Sequence, residues 1–189
     1  MRLLPTTLFL IVWALPAAWA EPAAYALQLE KSSVTFTYLL NGQPMRGTMP
    51  ITRADLILDW RRLENAQVEV ALNAQQARAG MGIATSAMRG ASVLNVARYP
   101  QIRYHSTGVR RTRQGARIDG LVTLRGVTRP MPLKARIYRQ QGTPENDLSR
   151  LSILLTGEIA RAAFGAGGFS DVVGDRIKLR ILARIRRLD

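Results

Sequence analysis

Hydrolytic, metal-dependent and acid–base chemistry each need particular side chains within reach of one another, and this chain offers few of them. His105 is its one histidine, and it has no cysteine. A nucleophile needs an adjacent base. His105 stands between Tyr104 and Ser106 on the polar side of an alternating segment, which is the position of a solvent-exposed strand residue. One histidine without cysteine also excludes a zinc site built from those ligands. Asp55 and Asp59 are four residues apart, as are Asp171 and Asp175. In strands and loops that spacing does not hold two carboxylates together, so they read as solvated or turn-forming groups and not as a general acid and base. The run Phe164-Gly165-Ala166-Gly167-Gly168-Phe169 superficially suggests a phosphate loop. A dinucleotide fingerprint needs a following helix in a βαβ frame, and this run reads instead as a mobile loop between two strands. The expectation is a binding protein, not an enzyme, with no metal and no catalytic residues.

Positive charge is what the chain has in quantity. Lys and Arg total 27 against 13 Asp and Glu, a net charge of +14. Such a balance attracts anionic surfaces: phospholipid, lipopolysaccharide or nucleic acid. Arginine at a rim could also receive an anionic headgroup, because the guanidinium fork matches phosphate. The first twenty residues combine Arg2, an apolar run over 8–15 and Ala18-Trp19-Ala20 before Glu21. That is the layout of a secretory signal peptide, cleaved after residue 20. An uncleaved anchor competes with this reading, but the run falls short of the about 20 residues that span a bilayer. Without cysteine, attachment through a lipidated cysteine is excluded. The expected mature domain, 21–189, keeps 26 basic and 13 acidic residues, a net +13. Export argues for a periplasmic location and against nucleic acid as partner. The absence of disulfides leaves stability to core burial.

Those residues must be positioned by short alternating segments. Val34, Phe36, Tyr38 and Leu40 alternate with threonines before a hairpin-type Asn41-Gly42. Val68, Val70 and Leu72 repeat the pattern, as do Ile102 and Tyr104 with Ser106. Ile118, Val122 and Leu124 share one side with Gly120, which marks a candidate bend or bulge. Leu151, Ile153 and Leu155 form another segment. Leu133, Ala135 and Ile137 alternate with Lys134 and Arg136. Ile177, Leu179, Ile181, Ala183 and Ile185 alternate with Lys178, Arg180 and Arg184. The last segment also admits a helical reading through Ile177, Ile181 and Ile185, but its β-branched content favours a strand. Residues 25–30, 45–51 and 56–59 bring the count to eight to ten strands, which suits a closed barrel or a sandwich. Between Asn73 and Val96 the alternation stops, and 74–78 and 84–95 read as one or two short helices that could close one end. Residues 140–146 form a polar loop. An outer-membrane barrel is excluded, because Lys134, Arg136, Lys178, Arg180 and Arg184 would face lipid at about 2–4 kcal/mol each.

Five segments in order resemble the YceI-like family of periplasmic lipid-binding proteins: 25–36 (YALQLEKSSVTF), 45–59 (MRGTMPITRADLILD), 94–106 (LNVARYPQIRYHS), 119–132 (DGLVTLRGVTRPMP) and 159–181 (IARAAFGAGGFSDVVGDRIKLRI). The resemblance implies an all-β fold with a short helical insert, a lipocalin-like eight-stranded antiparallel β-barrel. It also implies a hollow interior holding a long-chain isoprenoid of quinone or polyprenyl phosphate type, or a related amphiphile. No cofactor is implied beyond that lipid. On this reading Phe36, Tyr38, Val70, Tyr104, Val122, Leu133, Ile153 and Ile181 line the cavity. Relatives usually carry a His-Ser pair where this chain has Ser32-Ser33, and Asp and His where it has Ser86, Ala87 and Met88. Those differences remove polar groups near one end of the cavity. Further partners are an anionic membrane surface and a second copy in a homodimer. The competing function is a basic membrane-surface or partner-binding module without a stored lipid.

Overall fold

In the computed structural model, residues 22–139, 142, 144 and 147–188 are described. The expected signal peptide and most of the 140–146 loop lie outside them. Eleven strand segments and one helix follow in chain order: β1 (Ala23–Leu27), β2 (Ser33–Leu40), β3 (Gln43–Met49), β4 (Ile51–Leu58), β5 (Gln67–Asn73), α1 (Gly82–Arg89), β6 (Gln101–Thr112), β7 (Gly115–Leu124), β8 (Val127–Pro130), β9 (Leu133–Arg139), β10 (Arg150–Ala160) and β11 (Arg176–Arg187).

The eleven segments make eight strands, because three strands are broken in two. β1 and β2 both pair with β11 and are separated by a 3-10 turn at Leu29–Lys31. β3 pairs with β2 and β4 with β1, and Pro50 separates them. β8 and β9 both pair with β7 across Met131-Pro132. Proline brings no N–H to a ladder, so it interrupts pairing at both of the last two breaks. Every pairing is antiparallel, and β1 bonds both β4 and β11. The ring β1-β4-β5-β6-β7-β9-β10-β11 therefore closes on itself. Closure removes the exposed edges that make open sheets prone to aggregation.

Local chemistry explains the corners. Asn41 and Gly42 both have positive φ, 50° and 77°, as a two-residue type I′ hairpin demands. Arg125-Gly126 makes the same kind of turn between β7 and β8, with φ of 52° and 76°. That turn has no Asn or Asp to announce it. The β6–β7 irregularity falls between Ser106 and Gly108. The irregularity expected at Gly120 lies at its pair: the register shifts between Ser106–Gly120 and Gly108–Asp119, with the extra residue, Thr107, on β6.

The insert also differs from expectation. Only Gly82–Arg89 is α-helical. Residues 74–78 are not a helix, because their polar backbone finds a partner in β3: Arg78 and Thr48 exchange two N–H···O bonds of 2.8 Å. After α1 the chain continues in turns, closed by bonds such as Gly90 N–H to the Ser86 carbonyl at 3.1 Å.

The inner and outer faces follow the period of two. Lys134, Arg136, Lys178, Arg180 and Arg184 are exposed, and so is His105. Val122, Leu133, Leu151 and Ile185 are buried inside. The carboxylates go to turns and surface pairs. Asp59 accepts the Arg61 and Arg62 N–H groups at 2.9 Å and Asn65 Nδ2 at 3.2 Å. Those bonds, the Arg62 N–H first, hold its carboxyl below the usual carboxylate range against the opposing effect of burial. Asp55 pairs with Arg53 at 2.6 Å, and Asp175 accepts the Ala162 N–H at 2.7 Å.

Candidate functional site

The barrel encloses a cavity of about 750 Å³. Its volume lies toward the upper end of the roughly 300–1,000 Å³ range typical of ligand pockets. All eight residues expected to line it do so: Phe36 and Tyr38 from β2, Val70 from β5, Tyr104 from β6, Val122 from β7, Leu133 from β9, Ile153 from β10 and Ile181 from β11. Val70, Ile153 and Ile181 are only partly buried, as befits side chains bordering a cavity. The period-two pattern therefore located one wall residue on strand after strand around the ring.

Toward one end the connection between β4 and β5 contributes to the wall. Trp60 and Leu63 line the cavity there, and the Trp60 indole N–H donates to the Tyr25 hydroxyl at 2.8 Å. Tyr25 in turn donates to the Leu148 carbonyl at 2.9 Å. The two rings meet edge to face, 6.2 Å between centroids. A 3-10 turn at Leu63–Asn65, held by Asp59, follows Trp60. At the other end the lining passes to α1 and the residue before it, with Met81, Ile83 and Met88, and to Phe169 and Val172 in the loop before β11.

Few polar groups reach the wall. The Tyr38 hydroxyl donates to the Ala79 carbonyl at 2.8 Å, and burial raises its pKa. The Tyr104 hydroxyl is buried without a partner. Desolvation, helped by the nearby Asp119 charge, pushes its pKa up to about 12.

Arg161 is the one basic residue among the described lining, and it is buried. Its Nε donates to Gly174, Nη1 to Ala166 and Gly168, and Nη2 to Val173, all through backbone carbonyls at 2.6–3.1 Å. Four of its five N–H groups are thus committed to the loop. Burial lowers its pKa, and the charge of Asp175 opposes that. The glycine-rich segment expected as a mobile loop is accordingly tied down: it starts as a 3-10 turn at Arg161–Phe164 and is threaded around this guanidinium. Spacing alone could not single out Arg161 among so many arginines. Ser86, Ala87 and Met88 lie on α1 beside the open end, with Ala87 and Met88 in the lining.

A family model described as the YceI-like domain matches residues 25–185. A UPF0312 protein of Yersinia pestis is 40% identical over 57 residues, 30% of each chain. The match thus spans under a third of that relative's length. Among solved structures, Burkholderia cenocepacia BcnA superposes with a TM-score of 0.75 at 14% identity, covering 84% of this chain and 99% of its own. A domain of Saccharophagus degradans described as polyisoprenoid-binding gives 0.61 at 10% identity, covering 88% and 99%. A YCEI protein of Campylobacter jejuni gives 0.63 at 16%, covering 76% and 84%. At such identities the structures speak for the fold alone, a closed barrel of eight antiparallel strands. The family match over nearly the whole described chain adds the rest: this protein belongs to the YceI-like family.

Proposed function

We propose that this protein holds a long-chain apolar lipid of polyisoprenoid type inside its barrel, as a periplasmic carrier or store that does not transform it. The observation that carries the reading is the cavity itself: about 750 Å³, walled almost wholly by aliphatic and aromatic side chains. Apolar cavities of roughly 150 Å³ already stay dry and take up benzene-sized guests. Filling this one with hydrocarbon restores the dispersion contacts its walls lack. It also stabilises the complex by about 0.8 kcal/mol per buried methylene. The likeness to the Saccharophagus degradans domain described as polyisoprenoid-binding favours an isoprenoid over a straight acyl chain. Quinones and polyprenyl phosphates both offer such a tail with a polar head left toward the open end.

Native mass spectrometry after detergent-free purification tests the reading. A retained ligand with isoprene mass spacing is the expected result, and a uniformly ligand-free barrel that takes up neither a quinone nor a polyprenyl phosphate would count against it. Cell fractionation tests the compartment, with recovery in the osmotic-shock fraction expected.

A further inference from the structure

Large apolar side chains stand exposed at nine described positions, and their distribution is uneven. Met81, Ile83, Phe169 and Val172 all border the cavity, so they frame its mouth. Leu39 adjoins the same loop, its carbonyl accepting the Gly174 N–H at 2.9 Å. The remaining four, Leu29, Ile57, Tyr138 and Leu188, are outside the cavity lining.

Ile83 is 89% exposed at the start of α1, and Phe169 is 49% exposed. Phe169 also has φ of 61°, the left-handed region that a bulky aromatic rarely occupies. The loop keeps it there because Arg161 ties the carbonyls of Ala166, Gly168, Val173 and Gly174 around one guanidinium. The apolar rim is thus presented on a braced platform, at an unfavourable backbone angle and against the hydrophobic effect. An exposed apolar patch at the mouth of an apolar cavity marks a surface that is covered in use. Charge indicates the cover. The segments around the mouth, 39–46, 74–99 and 161–176, carry six arginines and two aspartates; Arg161 is buried in its loop and Arg176 pairs with Glu158, which leaves Arg46, Arg78 and Arg98 exposed and Arg89 partly so.

We infer that the mouth of the barrel docks on an anionic phospholipid bilayer, with Ile83, Met81, Phe169 and Val172 immersed in the interfacial layer and neighbouring arginines facing the phosphates. The inference rests on the reading of the cavity as a lipid holder, and it supplies that reading with a route. Docking aligns the opening with the acyl region, so a hydrocarbon tail passes between membrane and barrel without crossing water.

The absence of cysteine makes the test clean. The full chain carrying Ile83→Cys, and separately Tyr138→Cys on the barrel wall, is labelled with an environment-sensitive fluorophore. Each is mixed with vesicles of phosphatidylcholine, with or without phosphatidylglycerol. The label at position 83 is expected to shift to the blue on phosphatidylglycerol vesicles while that at 138 stays in water. Ile83→Ser combined with Phe169→Ser is expected to lower vesicle partitioning by about tenfold or more. Val172→Ser serves as a milder variant should the double change perturb folding, checked by near-ultraviolet circular dichroism. A label at 83 that stays in water on vesicle-bound protein overturns the docking. So does unchanged partitioning of a folded rim variant, which would shift binding to the basic outer face. Native mass spectrometry of the parent protein separates the two ideas. A lipid-filled barrel that ignores vesicles removes the docking alone, whereas rim-dependent docking of an empty barrel removes the lipid-holding reading alone.

Discussion

The ring of Tyr104 lies across Gly120 on the inner wall of the barrel: a methyl group on Gly120 would sit 2.3 Å from the tyrosine hydroxyl oxygen and 2.4 Å from Cζ. Phe36 and Gly47, directly opposed on β2 and β3, stand in the same relation, with 2.1 Å to the Phe36 Cζ. Two aromatic rings thus lie along the wall where glycines leave room, which helps to keep the centre of the barrel open.

Gly120→Val is expected to destabilise the barrel and to reduce its lipid capacity. The added carbon would also approach the His105 carbonyl to 2.6 Å, so rotating the Tyr104 ring cannot by itself relieve the clash. Overpacking of this kind costs typically about 1–3 kcal/mol. Urea titration reads the stability, and uptake of a fluorescent polyene reads the capacity; unchanged values in both would refute the wall-and-glycine account.

Tyr104→Phe is expected to be neutral or stabilising, by up to about 1 kcal/mol, because it removes a buried hydroxyl that has no partner. The pH dependence gives a second check. Tyr104 ionises at about 12 in the fold against about 10 when unfolded. Its contribution is therefore fully present below pH 10 and is lost as the pH rises toward 12, because only the unfolded chain then sheds its proton readily. Tyr38, also shifted upward by burial, acts in the same direction. Denaturation midpoints measured at rising alkaline pH should fall less steeply for Tyr104→Phe than for the parent; identical slopes would be evidence against the shift.

Arg161→Lys keeps the charge but loses the planar fork that reaches four carbonyls. Each buried carbonyl left without a donor costs about 1–3 kcal/mol. A loss of roughly 3 kcal/mol or more in global stability is expected, together with faster amide exchange at residues whose backbone the guanidinium organises, 165–174. Slow exchange in that loop with Lys at 161 would show that its turns hold themselves together.

Much of this protein is legible in its sequence because a strand reports its own orientation. Alternation of Val34, Phe36 and Tyr38, or of Ile177, Leu179 and Ile181 with Lys178 and Arg180, states which side avoids water, and each of the eight named wall residues faces inward accordingly. Turn chemistry is legible only where the residue type is diagnostic: Asn41-Gly42 announces its hairpin, and Arg125-Gly126 adopts the same signs of φ unannounced. The alanine-rich stretch 74–78 looks helical in isolation because local preference knows nothing of Thr48, the distant partner that takes its hydrogen bonds.

Period two, charge and composition thus determined by themselves that this is an all-β chain with an apolar inside and a cationic outside. Only the folded chain decided that the sheet closes through β1, that Trp60 lines the cavity toward one end, and that Ile83 and Phe169 frame the other. The physical reason is range. Which face a side chain takes is a property of the residue and its immediate neighbours. Whether the enclosed space stays open depends on what the neighbouring strand, distant in sequence, places beside a side chain, as with a ring on one strand and a glycine on the next.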